Sequence, residues 1–155
     1  MGARGVARAA ASGAPEFFGF VPLTAVGLFA LNNFVLKRAW PGLVTGKLSD
    51  LLICFFLPLF VSALMQRVSR LGAAPRVAAG IALTAAIFIA VKTSATASRV
   101  LDADIALLLQ PFGVRTARNC VDVTDLWALP MLALAWLYAR RTALAGPDPL
   151  GTTVP

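Results

Sequence analysis

Histidine is absent from the 155 residues, cysteine occurs twice, and Asp and Glu together number 7 against 14 Lys and Arg. Without histidine, imidazole acid-base catalysis and the usual zinc and haem ligand sets drop out. Cys54 and Cys120 are far apart and show no C-x-x-C spacing. They read as two unpaired packing thiols, with a disulfide as the alternative if their membrane face is oxidising. No catalytic triad, redox motif or phosphate-binding glycine loop occurs, so no cofactor and no metal site is expected.

What fills the chain instead is apolar. Hydrophobic residues make up 59% and the mean hydropathy is +0.80, and the apolar residues come in runs long enough to cross a bilayer. A chain of this size accommodates about four spans and one domain. The expected fold is an all-α membrane protein: four transmembrane helices as two helical hairpins, with a long interfacial connection between helices 3 and 4.

A net charge of +7 would point to nucleic acid in a soluble protein. Here the basic residues flank apolar runs, which is a topology and headgroup signal, so the expected partners are membrane lipids and no nucleic acid. The excess of arginine over lysine points to a high-GC bacterium, and thus to the bacterial inner (cytoplasmic) membrane.

Residues 1–15 carry no apolar periodicity and read as a flexible tail. The Met-Gly start lacks Ser or Thr at position 6, so myristoylation is not supported. Residues 17–36 are too long for the apolar core of a signal peptide and read as the first span. The second span covers 51–65, with Ser49 as its cap and Pro58 inside. A basic turn with Arg67, Arg70 and Arg76 leads to the third, 77–91. Its small residues Ala78, Ala82, Ala86 and Ala90 form a strip that suits close helix approach inside the bundle. The fourth span, 126–138, contains Pro130 and closes on Trp136, Tyr138, Arg140 and Arg141, an interface anchor. The transmembrane domain is then 16–141, and 142–155 form a disordered tail.

Four spans put both termini on one face. Lys and Arg divide equally between the two faces, so the positive-inside rule does not choose an orientation, and the termini are assigned to the cytoplasm because that face's bases are compact and unpaired by acid. Residues 93–123 make a connection long enough to be functional or to hold structure of its own. Within it, 98–110 has helical periodicity, with Arg99, Asp102, Ala106 and Gln110 on one stripe. Asp104 falls on the apolar side, where an acid must reach water or find a partner.

Ser49-Asp50-Leu51 and Thr124-Asp125-Leu126 open two apolar runs in near-identical settings. Helix capping accounts for part of this likeness, Asp122 and Asp125 included, at about 1 kcal/mol per cap. Capping does not explain why the three lysines Lys37, Lys47 and Lys92, and the amides Asn32 and Asn33, fall on the same face. Candidate ligand-binding residues are therefore Asn32, Asn33, Lys37, Lys47, Asp50, Lys92, Asp104, Asp122 and Asp125.

Thr45-Gly46-Lys47-Leu48-Ser49-Asp50 before a Pro-containing span, with Asp122-Val123-Thr124-Asp125-Leu126-Trp127-Ala128-Leu129-Pro130, resembles a family of small uncharacterised four-span membrane proteins of high-GC bacteria. The resemblance covers Asn32 to Trp136 and implies topology. More distantly, a lysine before the second span and spaced acids opening the last resemble VanZ-like membrane proteins. This chain lacks the histidine after the lysine, and the Asn and Gly after the acids.

Two functional expectations follow. In one, the acid-bearing face binds a lipid headgroup or cell-envelope amphiphile, with Asn32, Lys37, Lys47 and Lys92 as donors oriented by Asp50, Asp104 and Asp125. In the other, the chain is a non-catalytic structural or accessory subunit of a larger membrane protein complex, or a homo-oligomer. An ion or proton pathway ranks below both, because no acid lies near the middle of a span.

Overall fold

The computed structural model describes residues 14–112 and 121–144. Among them every regular element is helical and none is a strand. A single turn, α1 (Pro15–Phe18), ends at Gly19, and α2 (Phe20–Leu31) follows at once. It runs on through a π-helical turn, Asn32–Leu36, and a last turn, Lys37–Ala39. Next come α3 (Leu43–Val68), α4 (Ala73–Thr93) and α5 (Ala95–Leu109). A 3-10 stretch, Val123–Ala128, precedes α6 (Pro130–Ala139), which passes into π-helical Arg140–Leu144.

Three stretches are long and apolar enough to cross a membrane: Phe20–Ala39, Leu43–Val68 and Ala73–Thr93, of 20, 26 and 21 residues. At a rise of 1.5 Å, about 20 residues match the hydrocarbon thickness. Phe20, Leu28, Phe34, Leu64 and Ile87 lie on the outside, as apolar surroundings permit. This is a helical membrane protein. The apolar run after Asp125 forms no single long helix, because Pro130 lacks an N–H and starts α6 afresh.

The second span begins earlier than its apolar run. Ser49 does not cap a helix starting at Leu51; α3 starts at Leu43, where Thr45 and Gly42 close the first turn. The Gly42 N–H donates to Thr45 Oγ1 at 3.3 Å, and that hydroxyl lies 2.9 Å from the Gly42 carbonyl, which it reaches as donor. Ser49 and Asp50 are thus well inside α3, where their side chains meet neighbouring helices.

α3 is the central helix, packing against α2, α4 and α6. Its contact with α4 is built on two rows of residues four apart. Asp50, Cys54, Pro58, Ser62 and Gln66 form one; Arg76, Gly80, Thr84, Phe88 and Lys92 form the other, and all five of the latter are buried. Asp50 meets Lys92 and Gln66 meets Arg76, so the helices run antiparallel with these ridges in register. Midway, a Cβ on Gly80 would collide with the Pro58 carbonyl. Only glycine allows this approach.

The alanine strip therefore has the opposite role from the one its spacing implied. Ala78, Ala82, Ala86 and Ala90 are all exposed. The row starting at Arg76 takes the interior because Gly80 approaches closer than alanine can and because Arg76, Thr84 and Lys92 need polar or packed company away from lipid.

The expected helix at 98–110 is present as α5, beginning at Ala95, with Ser94 Oγ accepting from the Ala97 N–H at 3.3 Å. Part of the long connection, including Arg115, Arg118 and Cys120, lies outside the described residues, so a Cys54–Cys120 disulfide does too; Cys54 itself is a buried free thiol. The tail read at 1–15 lies outside them up to residue 13. Ala14 is buried and donates its N–H to Gln66 Oε1 at 3.1 Å. Of the tail read at 142–155, residues 145–155 lie outside, and the helix continues through Leu144.

Candidate functional site

At the end of α4, Lys92 is 5% exposed, and its Nζ stands 5.6 Å from the centre of the Phe88 ring one turn back. The ammonium donates to Asp50 Oδ2 at 2.9 Å and to Asp125 Oδ2 at 2.7 Å. Lys47, three residues before Asp50 on α3, donates to Asp125 Oδ1 at 3.1 Å and Thr124 Oγ1 at 2.9 Å. Two cations and two acids thus tie α3, α4 and the 3-10 stretch together. A buried charge is tolerated only when paired and hydrogen-bonded, and here each acid has a cation.

The Ser/Thr-Asp-Leu motifs are not structural equivalents. Asp50 reaches its partner from within α3, whereas Asp125 lies in the first turn of the 3-10 stretch. The cap at that second site is Asp122, whose Oδ1 accepts from the Thr124 N–H at 2.9 Å. Hydrogen bonds from the Thr124 side chain and backbone hold the Asp122 carboxyl below its ordinary value. Burial pushes the Asp125 carboxyl up, but the bonds from Lys92 and Lys47 outweigh it and hold this group low as well.

Behind Asp50, the π-helical turn of the first span supplies the amides. Asn32 is fully buried and donates from Nδ2 to the Thr45 carbonyl at 2.7 Å and to Ser49 Oγ at 2.8 Å. Its Oδ1 is buried without a partner among the described residues. Asn33 Oδ1 accepts from Lys37 Nζ at 2.8 Å, and Ser49 Oγ approaches it at 3.4 Å. Both amides lie in the π-helical turn, and each meets Ser49 of α3.

A cavity of about 100 Å³ opens beside the charged group, lined by Lys47, Asp50, Leu51, Thr124, Asp125, Trp127 and Ala128. On the neighbouring face of α3, Leu52 and Phe55 floor an open apolar groove of about 350 Å³ between α2 and Met131 of α6. Of the nine residues singled out from sequence, Lys47, Asp50, Lys92 and Asp125 form one group, and Asn32, Asn33 and Lys37 adjoin it through Ser49. Asp122 caps from the edge. Asp104 is exposed on α5, apart from the group. Among the described residues no three acid or cysteine side chains gather as a metal-ligand set.

A second polar cluster, at the opposite end of the α3–α4 contact, escaped sequence reading. Glu16 of α1 is fully buried; its Oε1 accepts from Ser62 Oγ at 2.9 Å and Arg76 Nη2 at 3.3 Å. Arg76 also donates to the Leu71 carbonyl at 2.6 Å and Gln66 Oε1 at 3.4 Å. Two signals pointed this way: a glutamate placed just before an apolar run, and an arginine in the four-residue phase of Gly80 and Thr84. No protein-family model, curated protein or solved structure matches this chain.

Proposed function

We propose that the chain is a four-span protein of the bacterial inner membrane whose charged group on one face binds the headgroup of a lipid or cell-envelope amphiphile. The observation that carries this reading is the cavity at the end of the spans, walled by Lys47, Asp50, Thr124 and Asp125, with groups of both signs. The apolar groove floored by the next residues of α3 suits the chain of the same molecule. Nothing in the arrangement amounts to a nucleophile with its base, so binding rather than chemistry is the assignment.

The fourth crossing rests on the two ends of the last helical run. Asp125 meets Lys92 at one end of α4, while the Tyr138 hydroxyl fills the space a Gly19 Cβ would take, close to where Glu16 meets Arg76. These contacts support a fourth crossing over 126–138 and the pairing of the four helices as two hairpins. The termini are assigned to the cytoplasm with Arg67, Arg70, Arg140 and Arg141.

Lipid analysis of the purified protein tests the binding reading. Wild type is expected to carry about one lipid per chain through mild detergent, and Asp125→Asn to lose it while remaining folded. Equal lipid content in the two, with equal expression, contradicts it. The outward alanine strip supports a second reading, an accessory subunit or homo-oligomer packed along α4. A cysteine at position 82 would then cross-link to a partner helix in membranes, and its failure to do so would count against this alternative.

A further inference from the structure

Lys37 stands near the end of the first span, Phe20–Ala39, as a half-buried cation. The ion pairs among the described residues engage Lys47, Lys92 and Arg76, and neither Lys37 nor Arg38 enters one. Asp50 lies beyond ion-pair distance of Lys37 and is taken by Lys92. The Lys37 ammonium donates instead to a neutral oxygen, Asn33 Oδ1, at 2.8 Å. That amide is fixed from its other end, where Asn33 Nδ2 donates to the Phe29 carbonyl at 2.8 Å, so the bond positions the ammonium. Two of its three N–H donors remain among the described residues. Arg38 is exposed beside it. Trp40, 71% exposed, follows two residues on, and tryptophan is a residue of the headgroup level.

We propose that Lys37 and Arg38 bind the phosphate of an anionic phospholipid from the surrounding leaflet, apart from the cavity beside Asp125 and independent of it. The charged group balances itself, Lys47 and Lys92 against Asp50 and Asp125. The end of the first span carries two cations and no acid within ion-pair distance among the described residues. A half-buried cation there is stabilised by an anion at its open side. A phosphate accepts from the Lys37 ammonium, and the Arg38 guanidinium one residue on adds its fork of donors. A zwitterionic headgroup fits less well, because it brings an ammonium of its own to a place with no acid to receive it. The contact exchanges with the leaflet, so it is read in vesicles and not as lipid that survives detergent.

The test makes Trp40 the reporter. The full chain with Trp127→Phe and Trp136→Phe is placed in vesicles of equal phosphatidylglycerol and phosphatidylcholine, with bromine on the acyl chains of one lipid or of the other. The surface charge is then the same in both. Bromine quenches indole emission at close range, so the two quenching curves give the local lipid ratio. Phosphatidylglycerol should be enriched beside Trp40 by about five- to twentyfold, and Lys37→Gln should cut that about fivefold. Asn33→Asp, which gives Lys37 a carboxylate in place of the amide oxygen, should cut it as far although both bases remain. Should Asn33→Asp fail to fold, Lys37→Gln decides. Equal quenching by the two lipids, or a preference that survives Lys37→Gln with Arg38→Gln, overturns the proposal. A preference lost in Asp125→Asn would place the contact at the cavity and overturn it too, whereas an unchanged ratio there keeps the two readings separate. If soluble glycerol phosphate abolishes the preference, the ligand is the free phosphoester and the lipid source is wrong.

Discussion

The two ends of the α3–α4 contact solve the burial of charge in different ways. At one end Arg76 and Glu16 form a sealed pair: the carboxylate is fully buried, and both Glu16 Oε2 and Arg76 Nε lack a partner among the described residues. At the other, Lys92 stands between two acids, a second lysine reaches in from the rim, and a cavity opens beside them. The sealed pair fixes α1 against α3 and α4. The open group fixes α3, α4 and the 3-10 stretch and leaves Lys47 partly exposed. The proposed binding is therefore assigned to the second end.

Removing one partner at the sealed end should cost most. Arg76→Met strands Glu16 in the interior, with an expected loss of about 3–5 kcal/mol, read from thermal or denaturant unfolding in detergent. Lys92→Met should cost less, because Asp125 keeps Lys47 and Asp50 is reached through the cavity. If Lys92→Met proves the more damaging, the open and sealed descriptions must be exchanged. Between the two ends, Gly80→Val places side-chain carbon against the Pro58 carbonyl and should cost about 1–3 kcal/mol. An unchanged unfolding temperature would mean that α3 and α4 do not touch there.

Acid should separate the ends further. The Asp125 carboxyl is held below its ordinary value, so its ion pairs stabilise the fold above the usual carboxylate range, near pH 4, and are lost as pH falls through the lowered value. The unfolding temperature should therefore drop below about pH 4, and less steeply in Asp125→Asn. Parallel profiles for the two proteins would show that Asp125 is not the group concerned. The smallest effect is expected for Lys47→Ala, under about 1 kcal/mol, because that pair is partly solvated.

Much of the helical layout was legible in hydropathy, and the shared face of Asp50, Lys92 and Asp125 in their positions at the ends of apolar runs. The start of α3 was not, because Lys47, Ser49 and Asp50 look like a polar approach to a span until their tertiary partners are known. The likeness of Ser49-Asp50-Leu51 to Thr124-Asp125-Leu126 concealed two different local structures that converge on one lysine. The alanine strip misled because spacing reveals a smooth face without saying what it faces; a single glycine and three polar neighbours decided the question for the row beside it. Glu16 and Arg76 are 60 residues apart, and no local pattern pairs them.

The difference between the two ends is tested most directly by lipid-dependent unfolding of three proteins in detergent: wild type, Ser62→Ala at the sealed end, and Thr124→Val at the open one. A ligand that binds only the folded state raises the unfolding temperature. Added bilayer phospholipid should raise it equally in wild type and Ser62→Ala, whatever the starting stability of the latter, and leave Thr124→Val nearly unmoved. An equal rise in all three, or a rise lost only in Ser62→Ala, would contradict the assignment of binding to the Lys47, Asp50 and Asp125 end.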